Sequence, residues 1–234
     1  MNTQPIEKSV FHERGMLRLH SLFPTIQGEG PFAGKPAVFV RLAGCNLQCP
    51  ACDTEYTEGA IDVMPEYIYK EVVKHERIGR LVVLTGGEPF RQNIAPLIEM
   101  LISRGIKVQI ETNGTLAPSE NMDTLKRTGM LTVVCSPKAG KVNEKLQPFI
   151  TAYKYVLNAD SVHKDDGLPL RALGHPANPH VARPYLGFAG TVYVQPVDVK
   201  DATENQRHLD ACLRSCLKYG YTLCLQLHKI IGME

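Results

Sequence analysis

Seven short stretches rich in β-branched and aromatic residues recur along the chain, and helical patterns separate most of them. This alternation constrains the fold more than any other feature. The stretches are PAVFVRL (36–42), RLVVLT (80–85), KVQIET (107–112), LTVVCS (131–136), YKYVLN (153–158), TVYVQP (191–196) and TLCLQL (222–227). Several are apolar on both faces, as strands of a covered parallel sheet should be. Among the helical patterns, MPEYIYKEVVKH carries proline near its first turn and NIAPLIEMLISRG ends at Gly105. SENMDTLKRTG runs from a Ser119 cap to Gly129, and residues 202–219 form the last long helix. The expectation is one α/β domain over residues 1–234 with a mainly parallel sheet of about six core strands, open or barrel-like. Such sheets bind ligands at the carboxyl ends of their strands. One connection breaks the rhythm. Residues 159–190 form a long Gly/Pro-rich insert with little periodicity, of the kind that is often functional or mobile. Its His163, His175 and His180 show no companion carboxylate or cysteine pattern.

Bulk electrostatics point to no special partner. The formal net charge is +2, too small to announce nucleic acid or a membrane surface. The opening MNTQPIEKSVFHERGMLRLH does not resemble a signal peptide, and no run of about 18 apolar residues occurs. A cytoplasmic, reducing location is expected, and seven cysteines there are not a disulfide framework. Leu209, Cys212, Leu213, Cys216 and Leu217 fall on one helical stripe, where cysteine packs as a small hydrophobe. Cys135 and Cys224 read as buried strand residues.

Cys45, Cys49 and Cys52 are different. Their C-x3-C-x2-C spacing lies in a loop directly after the first core strand, GCNLQCPACDTEY (44–56). Zinc with a fourth ligand from elsewhere is one reading, and an ordinary four-cysteine cluster is another. Both need a ligand such as His228 or Asp53 that nothing local marks. The third reading leaves one iron of a [4Fe–4S] cluster open to chelate a small molecule.

That loop resembles the signature of the radical S-adenosylmethionine superfamily. The resemblance implies that the open iron holds the amino and carboxylate groups of S-adenosylmethionine, whose reductive cleavage yields a 5′-deoxyadenosyl radical. LTGGEP (84–89) is similar to the superfamily's GGE segment, which implies contact of Gly87 and Glu88 with the cofactor. ETNGT (111–115) is similar to a further segment, implying that Glu111 or Asn113 faces cofactor ribose or substrate.

The stretch SLFPTIQGEGPFAGKPAVFVRLAGCNLQCPACDT (21–54) resembles the 7-carboxy-7-deazaguanine synthase family, and the likeness continues through CSPKAG, YVQPVD and LQLHK. It implies an incomplete, modified radical-SAM barrel. It also implies conversion of 6-carboxytetrahydropterin to 7-carboxy-7-deazaguanine with loss of ammonia, in queuosine or related 7-deazapurine biosynthesis. For the pterin it implicates Ile26, Gln27, Gly28, Glu29, Arg41, Thr85 and, from the tail, His228; whether His228 or the terminal carboxylate reaches the substrate stays open. The residue types suit the ligand. Amide and carboxylate side chains match a planar guanidine-like edge, and arginine matches a carboxylate bidentately. A polar turn at 27–29 and a structural ion pair at Arg41 are the competing readings.

Further implied are a magnesium ion at Thr54, where a turn residue is the alternative, and S-adenosylmethionine contacts at Ala51, Cys52, Asp53, Ser136, Pro137, Lys138, Gln195, Pro196, Val197 and Asp198. An electron donor such as flavodoxin and a homodimer belong to the same expectation. The sequence departs from the pattern at Pro50-Ala51, where an aromatic is frequent, which removes a stacking surface for adenine. Two other functions stay open: a glycyl-radical activase, also short and with the same cysteine spacing, and a non-catalytic zinc or iron–sulfur module.

Overall fold

A computed structural model describes residues 1–12, 14–75 and 80–233. Its strands are β1 (Leu17–Ile26), β2 (Pro36–Leu42), β3 (Ile61–Val63), β4 (Leu81–Gly86), β5 (Lys107–Thr112), β6 (Leu131–Cys135), β7 (Ile150–Leu157), β8 (Thr191–Pro196) and β9 (Thr222–Leu223). The helices are α1 (Pro65–Lys74), α2 (Ala95–Ser103), α3 (Met122–Arg127), α4 (Ala202–Tyr219) and the single turn α5 (Leu227–Ile230). All nine strands join one sheet in the order β3-β1-β2-β4-β5-β6-β7-β8-β9. From β2 to β9 every pairing is parallel, whereas β1 runs antiparallel to both β2 and β3. The sheet keeps two free ends, so the barrel is open.

Period-2 alternation divides each strand between two environments. Val38, Val40, Leu42, Val82, Leu84, Val108 and Ile110 pack with helix residues such as Ile68, Leu97, Ile98 and Leu101 in the main core. The other face is apolar at one end, where Ala37, Leu81 and Val83 meet Phe32 and Phe39. Beyond that it turns polar, with buried Gln109, Lys154 and Gln195.

Four expectations need correction. TLCLQL is a strand only at Thr222–Leu223, because Gln226 leaves the extended region and Leu227 N bonds Gly28 O at 3.1 Å, which bends the tail across the sheet. Cys224 is buried but lies off the strand. Ser119 does not cap α3; Asn121 stands there in the left-handed region, and Ser119 Oγ donates to Gln92 O at 3.4 Å. The buried face of α4 is His208, Ala211, Cys212 and Ser215, while Leu213 and Leu217 point outward. Polar anchors set that rotation: Ala159 N donates to His208 Nδ1 at 3.1 Å and Ser215 Oγ donates to Gly167 O at 2.6 Å. Finally, 159–190 is irregular but packed. Leu168, Ala172 and Val181 enter the main core, and Arg183 bonds Asp166 at 2.7 Å. Among the described residues no helix is long and apolar enough to cross a membrane.

Candidate active site

The cysteine loop leaves the carboxyl end of β2 and is pinned from three sides. Gly44 N donates to Tyr56 O at 2.9 Å and closes its base. Glu88 N donates to Gly44 O at 3.0 Å, tying the loop to the turn after β4. That turn needs glycine: a Cβ on Gly87 would stand 1.9 Å from Gly44 O. The third side is the N-terminal segment, which lies along the loop as a strap. Asn2 N donates to Pro50 O at 2.9 Å and Glu7 N to Cys45 O at 2.8 Å. Gln4 Nε2 donates to Thr54 O at 2.9 Å, and its Oε1 accepts from Tyr56 N at 2.8 Å. Arg91, 1% exposed, clamps strap and loop together, with Nη2 to Glu7 Oε2 at 2.9 Å and Nη1 to Ala43 O at 3.0 Å.

Cys45 and Cys49 are buried, Cys52 is half-buried, and all three thiols are free. Burial pushes Cys45 up to about 12 and Cys49 up to about 11, and raises Cys52 as well. Lys138 opposes the rise at Cys49 and Cys52, and burial lowers its own pKa. Among the described residues no three His, Cys, Asp or Glu side chains gather closely enough to hold one metal ion. Three thiols in one loop suit a multi-iron cluster, in which each thiolate meets a different iron and one iron stays open.

Glu88 is fully buried. Its carboxylate accepts from Phe90 N at 3.1 Å, Thr112 Oγ1 at 2.8 Å and Asn113 N at 2.7 Å. It thereby locks the ends of β4 and β5 together, and burial raises its pKa despite those donors. Asn113 also donates to Asn46 Oδ1 at 2.9 Å, within the cysteine loop.

Below the loop, the concave face carries a charged centre. Lys154 Nζ on β7 meets Glu29 Oε2 from the segment after β1 and Glu111 Oε2 on β5, the latter at 2.9 Å. Gln195 and Gln226 donate to Glu29 Oε1 at 3.3 and 3.0 Å. Gln27 and Gln109 donate to Glu111 Oε1 at 3.1 and 2.9 Å. Burial alone would raise the Glu29 carboxyl, but the Lys154 ammonium and its hydrogen bond, with Gln226, bring it down to about 2. Burial likewise works against the Lys154 charge, and Glu111 and Glu29 hold its pKa well above the usual lysine range.

The other predicted residues lie on several separate segments. Ile26 ends β1. Arg41 and Thr85 are register partners on β2 and β4, and the Arg41 guanidinium lies 4.9 Å from the Phe23 ring centroid. Gly28 sits against His228. Ser136 and Pro137 follow β6, where Lys138 Nζ bonds Ser136 Oγ at 2.6 Å. Val197, past Gln195 and Pro196 of β8, lines a cleft of about 490 Å³ with Val156, Arg171 and Leu173. Asp198 accepts from Lys200 N at 2.9 Å, Lys229 at 3.0 Å and Asn205 at 2.8 Å, which bring its carboxyl down to about 2. Ala51 is exposed, and Asp53 reaches Lys229 at 3.6 Å. Thr54 is half-buried beside Cys52. The terminal carboxylate lies outside the described residues.

Sequence reasoning missed two features. One is the strap, whose short polar residues have no periodicity to mark them. The other is Lys154, which a lysine centred in the apolar run AYKYVL did signal.

An open, mostly parallel sheet with a C-x3-C-x2-C loop at its carboxyl end and a GGE turn beside it defines a radical SAM protein, and residues 40–158 match the family model described as the Radical SAM superfamily. Two relatives, both named 7-carboxy-7-deazaguanine synthase, are similar over nearly the whole chain. The Rhodospirillum rubrum protein is 41% identical over 92% of this chain and 92% of its own, and the Rickettsia prowazekii protein 36% over 93% and 89%. The crystal structure of QueE from Escherichia coli superposes with a TM-score of 0.67 at 22% identity, over 91% of this chain and 95% of that one, a likeness of fold. The chain belongs to the 7-carboxy-7-deazaguanine synthase family. Neither the activase nor the zinc-module reading finds support in these comparisons.

Proposed function

We infer that this chain is a 7-carboxy-7-deazaguanine synthase. It is a lyase that converts 6-carboxy-5,6,7,8-tetrahydropterin to 7-carboxy-7-deazaguanine with loss of ammonia, in 7-deazapurine biosynthesis. The observation that carries the reading is the concave face, which holds three free thiols at its rim and a carboxylate pair ringed by amides at its floor. A [4Fe–4S] cluster and S-adenosylmethionine, when bound, would supply the radical chemistry.

The chain's own residues bind and orient. Cys45, Cys49 and Cys52 hold the cluster. Ala51 to Asp53, Gly87, Glu88, Ser136 to Lys138 and Gln195 to Asp198 surround S-adenosylmethionine, with the Lys138 ammonium set near Cys49 and Cys52. The hydroxyl of Thr54 would offer magnesium a hard oxygen donor beside the substrate. Gln27, Glu29 and the backbone at Ile26 and Gly28 take the pterin edge, Arg41 takes its carboxylate, and Thr85 and His228 border it. An electron donor such as flavodoxin, a cytoplasmic location and a homodimer complete the proposal.

The test is anaerobic reconstitution followed by incubation with 6-carboxytetrahydropterin, S-adenosylmethionine, magnesium and a reductant. Appearance of 7-carboxy-7-deazaguanine by mass and ultraviolet spectrum is expected. Zinc without sulfide in the reconstituted protein, or intact pterin after turnover of S-adenosylmethionine, would overturn the reading.

A further inference from the structure

We propose that Lys154 is the positioning residue for the pterin, fixing Glu29 and Glu111 as a matched pair of ionised acceptors for the donor edge of the ring. This rests on the proposed function. Three separate segments bring the groups together: Glu29 follows β1, Glu111 lies near the end of β5 and Lys154 is central in β7. The two carboxylates are held alike. Each receives two side-chain amides on Oε1 and the Lys154 ammonium on Oε2. Lysine has three N–H donors, and these contacts use two.

The balance of donors and acceptors points to a ligand. Gln109 Oε1 and Gln195 Oε1 are buried with no hydrogen-bond partner among the described residues. Each amide named above turns one N–H to a carboxylate, and the two amide oxygens of Gln109 and Gln195 are the unmet acceptors of this floor. A buried acceptor left unmet is costly. A reduced pterin offers the complement, because its 2-amino group and ring N–H groups are all donors.

Lysine is needed because two carboxylates this close would otherwise share a proton. The proton would turn one acceptor into a donor aimed at the pterin's own donors. The other charged or titratable groups acting on this centre are His228 and Cys224 at Glu29 and Lys138 at Lys154. They are common to parent and variants, so a difference between the two isolates the carboxylate pair.

The test uses reconstituted holoenzyme with S-adenosylmethionine and magnesium. Pterin affinity is measured by equilibrium dialysis without reductant, and KM and kcat with it, at intervals from pH 6 to pH 9. Lys154→Met should weaken pterin binding by about tenfold or more at pH 7, the loss expected for charge-assisted hydrogen bonds. The deficit should shrink as pH rises and the shared proton leaves. Cluster absorbance and substrate-free cleavage of S-adenosylmethionine should be retained. The double variant Lys154→Met/Glu29→Gln carries one carboxylate and no cation, so it keeps the weak binding and loses the added pH dependence. It also serves if Lys154→Met does not fold. A pterin affinity in Lys154→Met equal to the parent's at every pH overturns the proposal. So does a pH-independent fall of melting temperature, cluster and all activities together in both variants. A parent that neither binds nor converts pterin overturns the proposed function, and this inference with it.

Discussion

Gly28 and His228 touch so closely that no side chain fits between them. A Cβ on Gly28 would stand 2.0 Å from His228 Nδ1, and Leu227 N donates to Gly28 O at 3.1 Å. The contact seats the C-terminal turn on the segment that carries Gln27 and Glu29. Gly28→Ala should therefore displace the tail, raising the pterin KM about tenfold or more, since displacements near 1 Å carry such costs. Cluster absorbance should stay at the parent level. Steady-state kinetics beside the visible spectrum check this, and an unchanged KM would show that the tail does not border the substrate.

Replacing Cys45, Cys49 or Cys52 with Ala should remove the [4Fe–4S] absorbance and all cleavage of S-adenosylmethionine. Cys212 is fully buried and packs in the main core. Cys212→Ala should keep both properties and lower stability by about 1 kcal/mol through a small cavity. Loss of the cluster in a folded Cys212→Ala protein would count against the assignment.

Arg41 lies beside Thr85 in the sheet register and against the Phe23 ring. Arg41→Lys keeps the charge but loses the planar fork. Turnover should fall strongly while the melting temperature and substrate-free cleavage persist. If Arg41 serves the fold alone, melting and both activities fall together.

Thr54 sits two residues past the last cysteine of the loop. Adding magnesium to metal-depleted enzyme should raise turnover. Thr54→Ser should keep most of that response and Thr54→Ala should weaken it, with the cluster spectrum unchanged in both. Equal magnesium affinity and amplitude in Thr54→Ala and parent would return Thr54 to the role of a turn residue.

Acid should weaken the fold through Glu29. Its folded value of about 2 lies below the ordinary 4.5, so its contribution is present in full above about pH 4.5 and is lost as pH falls toward 2. Urea unfolding of the cluster-free chain should show Glu29→Gln losing less stability than the parent across that window. The difference should be on the order of 2 kcal/mol. Parallel pH profiles would argue that Glu29 is not held by Lys154.

Local pattern announced β5, β8 and α4 with the bounds the structure has, because each is a strongly periodic run between clear breakers. β1 was not legible as a strand: LRLHSLFPTI mixes polar residues and proline, and its pairing with β2 shifts register between Leu19 and Ser21. The tail strand and the rotation of α4 failed for another reason. Both are set by contacts with distant segments, Gly28 in one case and Gly167 with Ala159 in the other. The site divides the same way. The cysteine loop and GGE turn are contiguous motifs and could be read directly. Lys154 and Glu29 are 125 residues apart, and only folding joins them.

The strap has a consequence for the order of events during synthesis. Residues 2–10 leave the ribosome ahead of the cysteine loop, but the side chain that clamps both is Arg91, about forty residues further on. A nascent chain that has just exposed Cys52 already owns the three thiols of the loop and still lacks the group that shapes it. Iron offered at that moment would meet a slack peptide. The clamped loop can form only after β4 and the turn behind it have emerged, so a cluster held by the proposed thiols would meet a shaped loop only from that point on.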